Sequence, residues 1–126
     1  MPAGKYSFVI EQGATTTFEV QYKDSTNTPV DLSGYGARLQ IRPTAESNTI
    51  LLSLSSSLRA DGTGLNMSGS NGTTPPTSGS IGVYISAYSS SLLSFGEAAY
   101  DLEIHYGATV SRILQGCVKL SKEVTR

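Results

Sequence analysis

Three residues toward the C-terminal end have the types that acid–base chemistry uses: Asp101, Glu103 and His105, in "YDLEIHYG". They are spaced two apart, so in a strand all three project from one face. His105 is the chain's only histidine. A catalytic histidine needs a nucleophile and an orienting group within hydrogen-bond reach, and no nucleophile motif accompanies this one. Paired carboxylates of the glycosidase kind flank a cleft, and the convex outer face expected of a hairpin offers none. The three are therefore read as solvated strand residues. No catalytic residue is assigned, and the chain is not expected to be an enzyme.

Other chemistry-bearing stretches read in the same way. "DSTNTPVD" at 24–31 and "DGTG" at 61–64 are rich in oxygen ligands, but neither has the spacing of a twelve-residue calcium loop. Turn chemistry accounts for both. "GLNMSGSNG" has neither the order nor the lysine of a phosphate-binding loop. "NMS" and "NGT" are glycosylation sequons by letter only, since "MPAGKYSFVIEQG" at the N-terminus has no cleavage-site pattern. Cys117 is the single cysteine, so no internal disulfide forms, and it is read as a small apolar residue. No metal, cofactor or small-molecule substrate is expected.

The element that must position Asp101, Glu103 and His105 is a hairpin. Gly107 and Ala108 suit a two-residue turn with glycine first. That turn sets Tyr106 opposite Thr109, Ile104 opposite Ser111, Glu103 opposite Arg112 and Leu102 opposite Ile113. One face then carries Tyr100, Leu102, Ile104, Tyr106 and Ile113. The other carries Asp101, Glu103, His105 and Arg112, with Glu103 and Arg112 paired. Unbroken alternation beyond Gly116 would bury Cys117, Lys119, Ser121 and Glu123. One extra residue at Gly116 instead turns Val118, Leu120 and Val124 inward, so a bulge or bend is expected at this glycine. Val110 and Leu114 are left on the outer face, a weak sign of a contact surface.

The remaining chain supplies strands to pair with this hairpin. "KYSFVIEQG" reads as a first strand. In "TTTFEVQYK" Phe18, Val20 and Tyr22 alternate with Thr17, Glu19 and Gln21. In "GARLQIRP" Ala37, Leu39 and Ile41 alternate with Arg38, Gln40 and Arg42, and Pro43 ends the run. "TILLSLS" and "GSIGVYIS" are further strands, the second with Ile81, Val83 and Ile85 inward. Residues 56–79, mostly Ser, Gly, Thr, Asn and Pro, read as an exposed loop around a short strand near Leu65 to Met67. "AYSSSLLSF" has apolar residues at 88, 92 and 95, which fit one short helix capped by Ser86. About eight strands at short spacing, with no long helix, argue a sandwich or barrel formed by a single domain of 126 residues. The formal charge is −1 and the basic residues are scattered, which speaks against nucleic acid as a partner. No apolar run is long enough for a membrane helix.

Taken together, "DLSGYGARLQIR", "GSIGVYIS" with its short helix, and "YDLEI" with the hairpin into "VSRILQGCVKLSKEVTR" resemble small tail-associated virion proteins of bacteriophages. The pattern is similar in particular to the immunoglobulin-like N-terminal domains of baseplate upper proteins. The likeness covers most of the chain except 56–79, and its most specific part is the ending. It implies an immunoglobulin-like antiparallel β-sandwich that joins or decorates virion parts in several copies. The sequence has no fibre-like or receptor-carrier region, so a tail, baseplate or fibre-attachment adaptor is expected, with a capsid decoration protein or a receptor- or carbohydrate-binding module as alternatives. Its partners would be other virion proteins and copies of itself, after synthesis in the host cytoplasm. Val110, Leu114, Val124 and Arg126 are the residues expected to meet a neighbour.

Overall fold

The computed structural model describes residues 4–69 and 72–124. The described strands are β1 (Gly4–Lys5), β2 (Phe8–Glu11), β3 (Thr16–Gln21), β4 (Gly36–Arg42), β5 (Leu52–Ser55), β6 (Gly64–Asn66), β7 (Ser80–Ile85), β8 (Glu97–Tyr106) and β9 (Thr109–Ser121). A single helical turn, α1 (Ala87–Ser91), joins β7 to β8. One sheet has the order β1-β9-β8-β4-β5, with β2 also on β9, and the other has the order β3-β7-β6. This is the G-F-C-C′ and B-E-D arrangement of an immunoglobulin-type sandwich, so the all-β expectation holds. Two details differ. The N-terminal run is split into two strands, and both lie parallel to β9, so the larger sheet is mixed rather than purely antiparallel.

The core follows from alternation. Ala37, Leu39 and Ile41 of β4, Leu52 and Leu54 of β5, Ile81, Val83 and Ile85 of β7, and Leu102 and Ile104 of β8 are all buried between the sheets. Phe8 ties the layers together. Its ring lies 4.8 Å from Phe18 of the opposite sheet and 4.9 Å, edge-on, from Tyr100, a geometry that aromatic quadrupoles favour.

The β8–β9 hairpin turns where expected, and Tyr106–Thr109, Ile104–Ser111 and Glu103–Arg112 are partners. The bulge is displaced from its expected site. Leu102 pairs with Leu114, not Ile113, so Ile113 is the extra residue. From Leu114 onward the alternation is regular, and Val118 and Leu120 are buried as required. Gly116 has another purpose. A Cβ there would lie 2.0 Å from the carbonyl oxygen of Tyr6. The N-terminal segment runs alongside β9 and presses close to it at this point: the Tyr6 N–H donates to the Gln115 carbonyl at 3.0 Å, and the Tyr100 hydroxyl donates to the Tyr6 carbonyl at 2.6 Å. Burial pushes the Tyr100 phenol pKa well above its ordinary value, so it remains a donor.

Ser86 caps α1 as expected, accepting from the Ser89 N–H, but the buried face of the turn is the opposite one. Tyr88 and Leu92 are exposed, while Ser89, Ser90 and Leu93 are buried. The Ser90 hydroxyl accepts from the Gly13 N–H at 3.0 Å and donates to the Ala14 carbonyl at 2.9 Å. Ser90, which satisfies the β2–β3 turn, thus takes an inner position, because an unpaired buried peptide group would cost more than a bare leucine.

The 56–79 segment is not simply an exposed loop. Leu65 and Thr63 are completely buried. Asp61 explains this anchoring. Its carboxylate accepts from the Ser86 hydroxyl at 2.6 Å, the Thr63 N–H at 3.0 Å and the Ser89 hydroxyl at 3.2 Å. These bonds, that from Ser86 foremost, hold its pKa well below the ordinary 3.8. The "DGTG" turn is therefore tied to the cap of α1.

Gly116→Ala is expected to lose about 1–3 kcal/mol of stability in urea titration. Gly96→Ala, whose Cβ meets nothing within 4 Å, should stay within about 0.5 kcal/mol of the parent. Equal effects would refute the close approach of Tyr6 as the reason for Gly116. Because the Asp61 pKa is depressed on folding, its stabilisation is complete above the ordinary carboxylate value and declines as pH falls below it. Asp61→Ala should therefore melt lower than the parent at pH 7, with the gap narrowing steadily below about pH 4.

Candidate functional site

The outer face of the larger sheet is the complement of its core face. The alternation that buries Leu39, Ile41, Leu102 and Ile104 sends Arg38, Gln40 and Arg42 of β4 and Asp101 and Glu103 of β8 to the other side. The Ile113 bulge determines which residues of β9 join them. Arg112 lies before it, and Gln115 and Cys117 after it. Lys5 and Ser7 border the same surface from the N-terminal edge. These side chains enclose an open groove of about 950 Å³. The face is hollow, not convex as the hairpin alone suggests: Lys5 and Ser7 line it beyond β9, and Ala45, in the β4–β5 connection, lines it as well.

Charges are interleaved within the groove. Arg38 Nε donates to Glu103 at 2.8 Å. Arg112 faces Glu103 in the ladder, yet its Nε lies 3.3 Å from Asp101 instead. The expected Glu103–Arg112 ion pair is thus replaced, because β4 brings Arg38 opposite Glu103. Among the described residues Arg42 forms no ion pair: it donates to the Gln40 side-chain oxygen and, at 2.6 Å, to the Ser47 carbonyl. Burial and then the neighbouring Glu103 raise the Asp101 pKa, and Arg112, Arg42 and Arg38 offset this only in part.

His105 lies at the β4 start of this face. Its ring covers Gly36, where a Cβ would meet His105 Cε1 at 2.4 Å. The glycine makes room for the ring, a packing role. Among the described residues, no group of three or more His, Cys, Asp or Glu side chains could hold a metal ion. Cys117 is exposed on the groove and not packed as an apolar residue, and its N–H donates to the Ser7 hydroxyl at 3.3 Å.

The four residues expected to meet a neighbour do not form one surface. Val110 is exposed beside the β8–β9 turn. Leu114 is turned inward by the bulge, faces Leu102 and packs partly buried against the core. Val124 is exposed and does not return to the core, because β9 ends at Ser121. Most of β9, a span of roughly 40 Å at ordinary strand rise, separates it from Val110. Arg126 lies outside the described residues. The groove arginines carried a signal in the sequence, the "ARLQIR" alternation, but their meeting with β8 depends on a pairing across more than sixty positions.

No protein-family model matches the chain, and no curated protein matches it.

The raised Asp101 pKa has a testable sign. The folded state holds this proton more tightly than the unfolded chain, so ionisation costs stability as pH rises through and above the ordinary 3.8. Asp101→Asn removes that cost. Its melting temperature relative to the parent should therefore become more favourable between pH 3 and pH 7. A difference independent of pH would refute this.

Proposed function

We propose that this chain is a structural protein of a bacteriophage particle, a tail, baseplate or fibre-attachment adaptor present in several copies. The observation that carries the reading is the "YDLEI" hairpin into "VSRILQG" and "EVTR", set in a sandwich with immunoglobulin strand order. Such a module works by holding parts together. β5 lies at one edge of its sheet, and β3 and β6 lie at the two edges of theirs. Backbone groups along an edge can pair with a neighbouring strand. Exposed Val110 and Val124 could each enter a separate contact, as expected for a piece with neighbours at both ends of β9.

A second reading, a carbohydrate- or receptor-binding module, is favoured by one observation. Tyr35 and Tyr106 lie against each other at a tilt, ring centroids 5.3 Å apart, at the β8–β9 turn, and Tyr106 is exposed. Stiff amphipathic rings of this kind suit sugar platforms.

Mass spectrometry of purified particles, with light scattering of the isolated protein, tests the first reading. The protein should be found in the particle at a fixed multicopy ratio, and its absence from particles would overturn the proposal. Specific signals on a glycan array that vanish with Tyr35→Ala and Tyr106→Ala would support the second reading.

A further inference from the structure

We infer that the groove on the outer face of the larger sheet is a docking site for an acidic, extended peptide segment of a partner protein. The inference rests on charge and on unused hydrogen-bond donors, and it stands whether or not the chain belongs to a phage particle.

The charge is unevenly placed. The chain has nine Lys and Arg against ten Asp and Glu. Four of the nine, Lys5, Arg38, Arg42 and Arg112, line the groove, against two of the ten, Asp101 and Glu103. The groove thus has an excess of two positive charges on a chain that is negative overall.

The donors point the same way. A guanidinium can give five N–H bonds. Arg38 gives one, from Nε to Glu103, and among the described residues nothing accepts from its terminal nitrogens. Arg112 approaches Asp101 through Nε and makes a 3.4 Å bond from Nη1 to the Gln115 side-chain oxygen. The oxygens of Gln115 and Gln40 both accept from arginines, and among the described residues nothing accepts from their amide N–H groups. Both ion-paired arginine side chains are about half exposed, at 49% and 54%. An incoming carboxylate can therefore take the two terminal nitrogens of Arg38 in a fork without displacing Glu103. Peptide carbonyls can take the glutamine amides.

The interleaved carboxylates narrow the class of ligand. A uniformly charged phosphate backbone laid across the arginines would also lie against Asp101 and Glu103. A peptide can place acidic side chains on the arginines and uncharged backbone over the carboxylates. The open groove spans β4, β8 and β9 from Ala45 to Lys5 and Ser7, a surface that suits an extended chain.

Titration of the isotope-labelled protein with an alternating Glu-Ala octapeptide, followed by amide NMR shifts at low salt, tests this. Shifts should concentrate on β4, β8 and the Arg112–Cys117 stretch of β9, with saturation. Arg38→Gln combined with Arg112→Gln should weaken binding at least tenfold, and Lys23→Gln, off the groove, should not. Added salt should weaken it as well. Urea midpoints of the variants check that each is folded. An alternating Lys-Ala octapeptide should give no saturable shifts. Absent or scattered shifts with the acidic peptide, or equal affinity in the double variant, would overturn the inference. Saturable binding of oligogalacturonate of matched charge, with none of the peptide, would overturn it in favour of an acidic polysaccharide.

Discussion

β9 pairs with β8 along one side and with the parallel strands β1 and β2 along the other. It serves both because one residue, Ile113, is left out of the ladder with β8. Without that extra residue, Val118 and Leu120 would face solvent, and Cys117 and Lys119 would face the core. With it, Ile113 and Leu114 both contribute apolar surface, and the strand still reaches Ser121 with its later residues correctly placed. The same shift puts Gly116 opposite Tyr100, where the absence of a Cβ lets the Tyr6 carbonyl approach closely. The core, the N-terminal edge and the make-up of the groove thus share one local irregularity.

A second set of bonds fixes the far end of the sandwich. Asp61 gathers Ser86, Ser89 and the Thr63 N–H, while Ser90 bonds both partners in the turn after β2. These are short-range polar contacts between segments distant in sequence, and a buried polar network of this kind is valuable only when complete. Here it is complete, since no buried side-chain nitrogen or oxygen among the described residues lacks a partner. That is why five residues hold a helical turn that propensity alone would not form.

The parts of this architecture legible in the sequence are those set by alternation and capping. Ala37, Leu39 and Ile41, the triplet Ile81, Val83 and Ile85, the Gly107 turn and the Ser86 cap all follow from local pattern. The bulge was legible in its necessity, because Val118 and Leu120 had to be buried, but not in its position. Glycine at 116 looked like the cheapest site for it, whereas that glycine answers to a chain segment more than a hundred positions away. The face of α1 was misread because Ser89 and Ser90 look like solvent residues until their partners, Asp61 and Thr63 for one and the β2–β3 turn for the other, are known. The groove was missed for a related reason. Its cations lie on β4 and β9 and its anions on β8, so each strand alone reads as a solvated face.

Folding does not explain the charges of that groove. Exposed ion pairs such as Arg38–Glu103 contribute about 0–1 kcal/mol each, and Asp101 sits where its charged form is disfavoured. A solvated sheet face could carry threonine at these positions with good strand propensity and no electrostatic cost. Arg42 makes the point most directly. It is held by an amide oxygen and a peptide carbonyl, neither of which neutralises it. Side chains that contribute little to the fold, yet lie together on one hollow surface with donors unspent, are better understood as set against something outside the molecule. The sandwich supplies the rigidity this requires: the three strands beneath the groove, β4, β8 and β9, are each paired on both sides, so the spacing of the arginines is fixed before any ligand arrives.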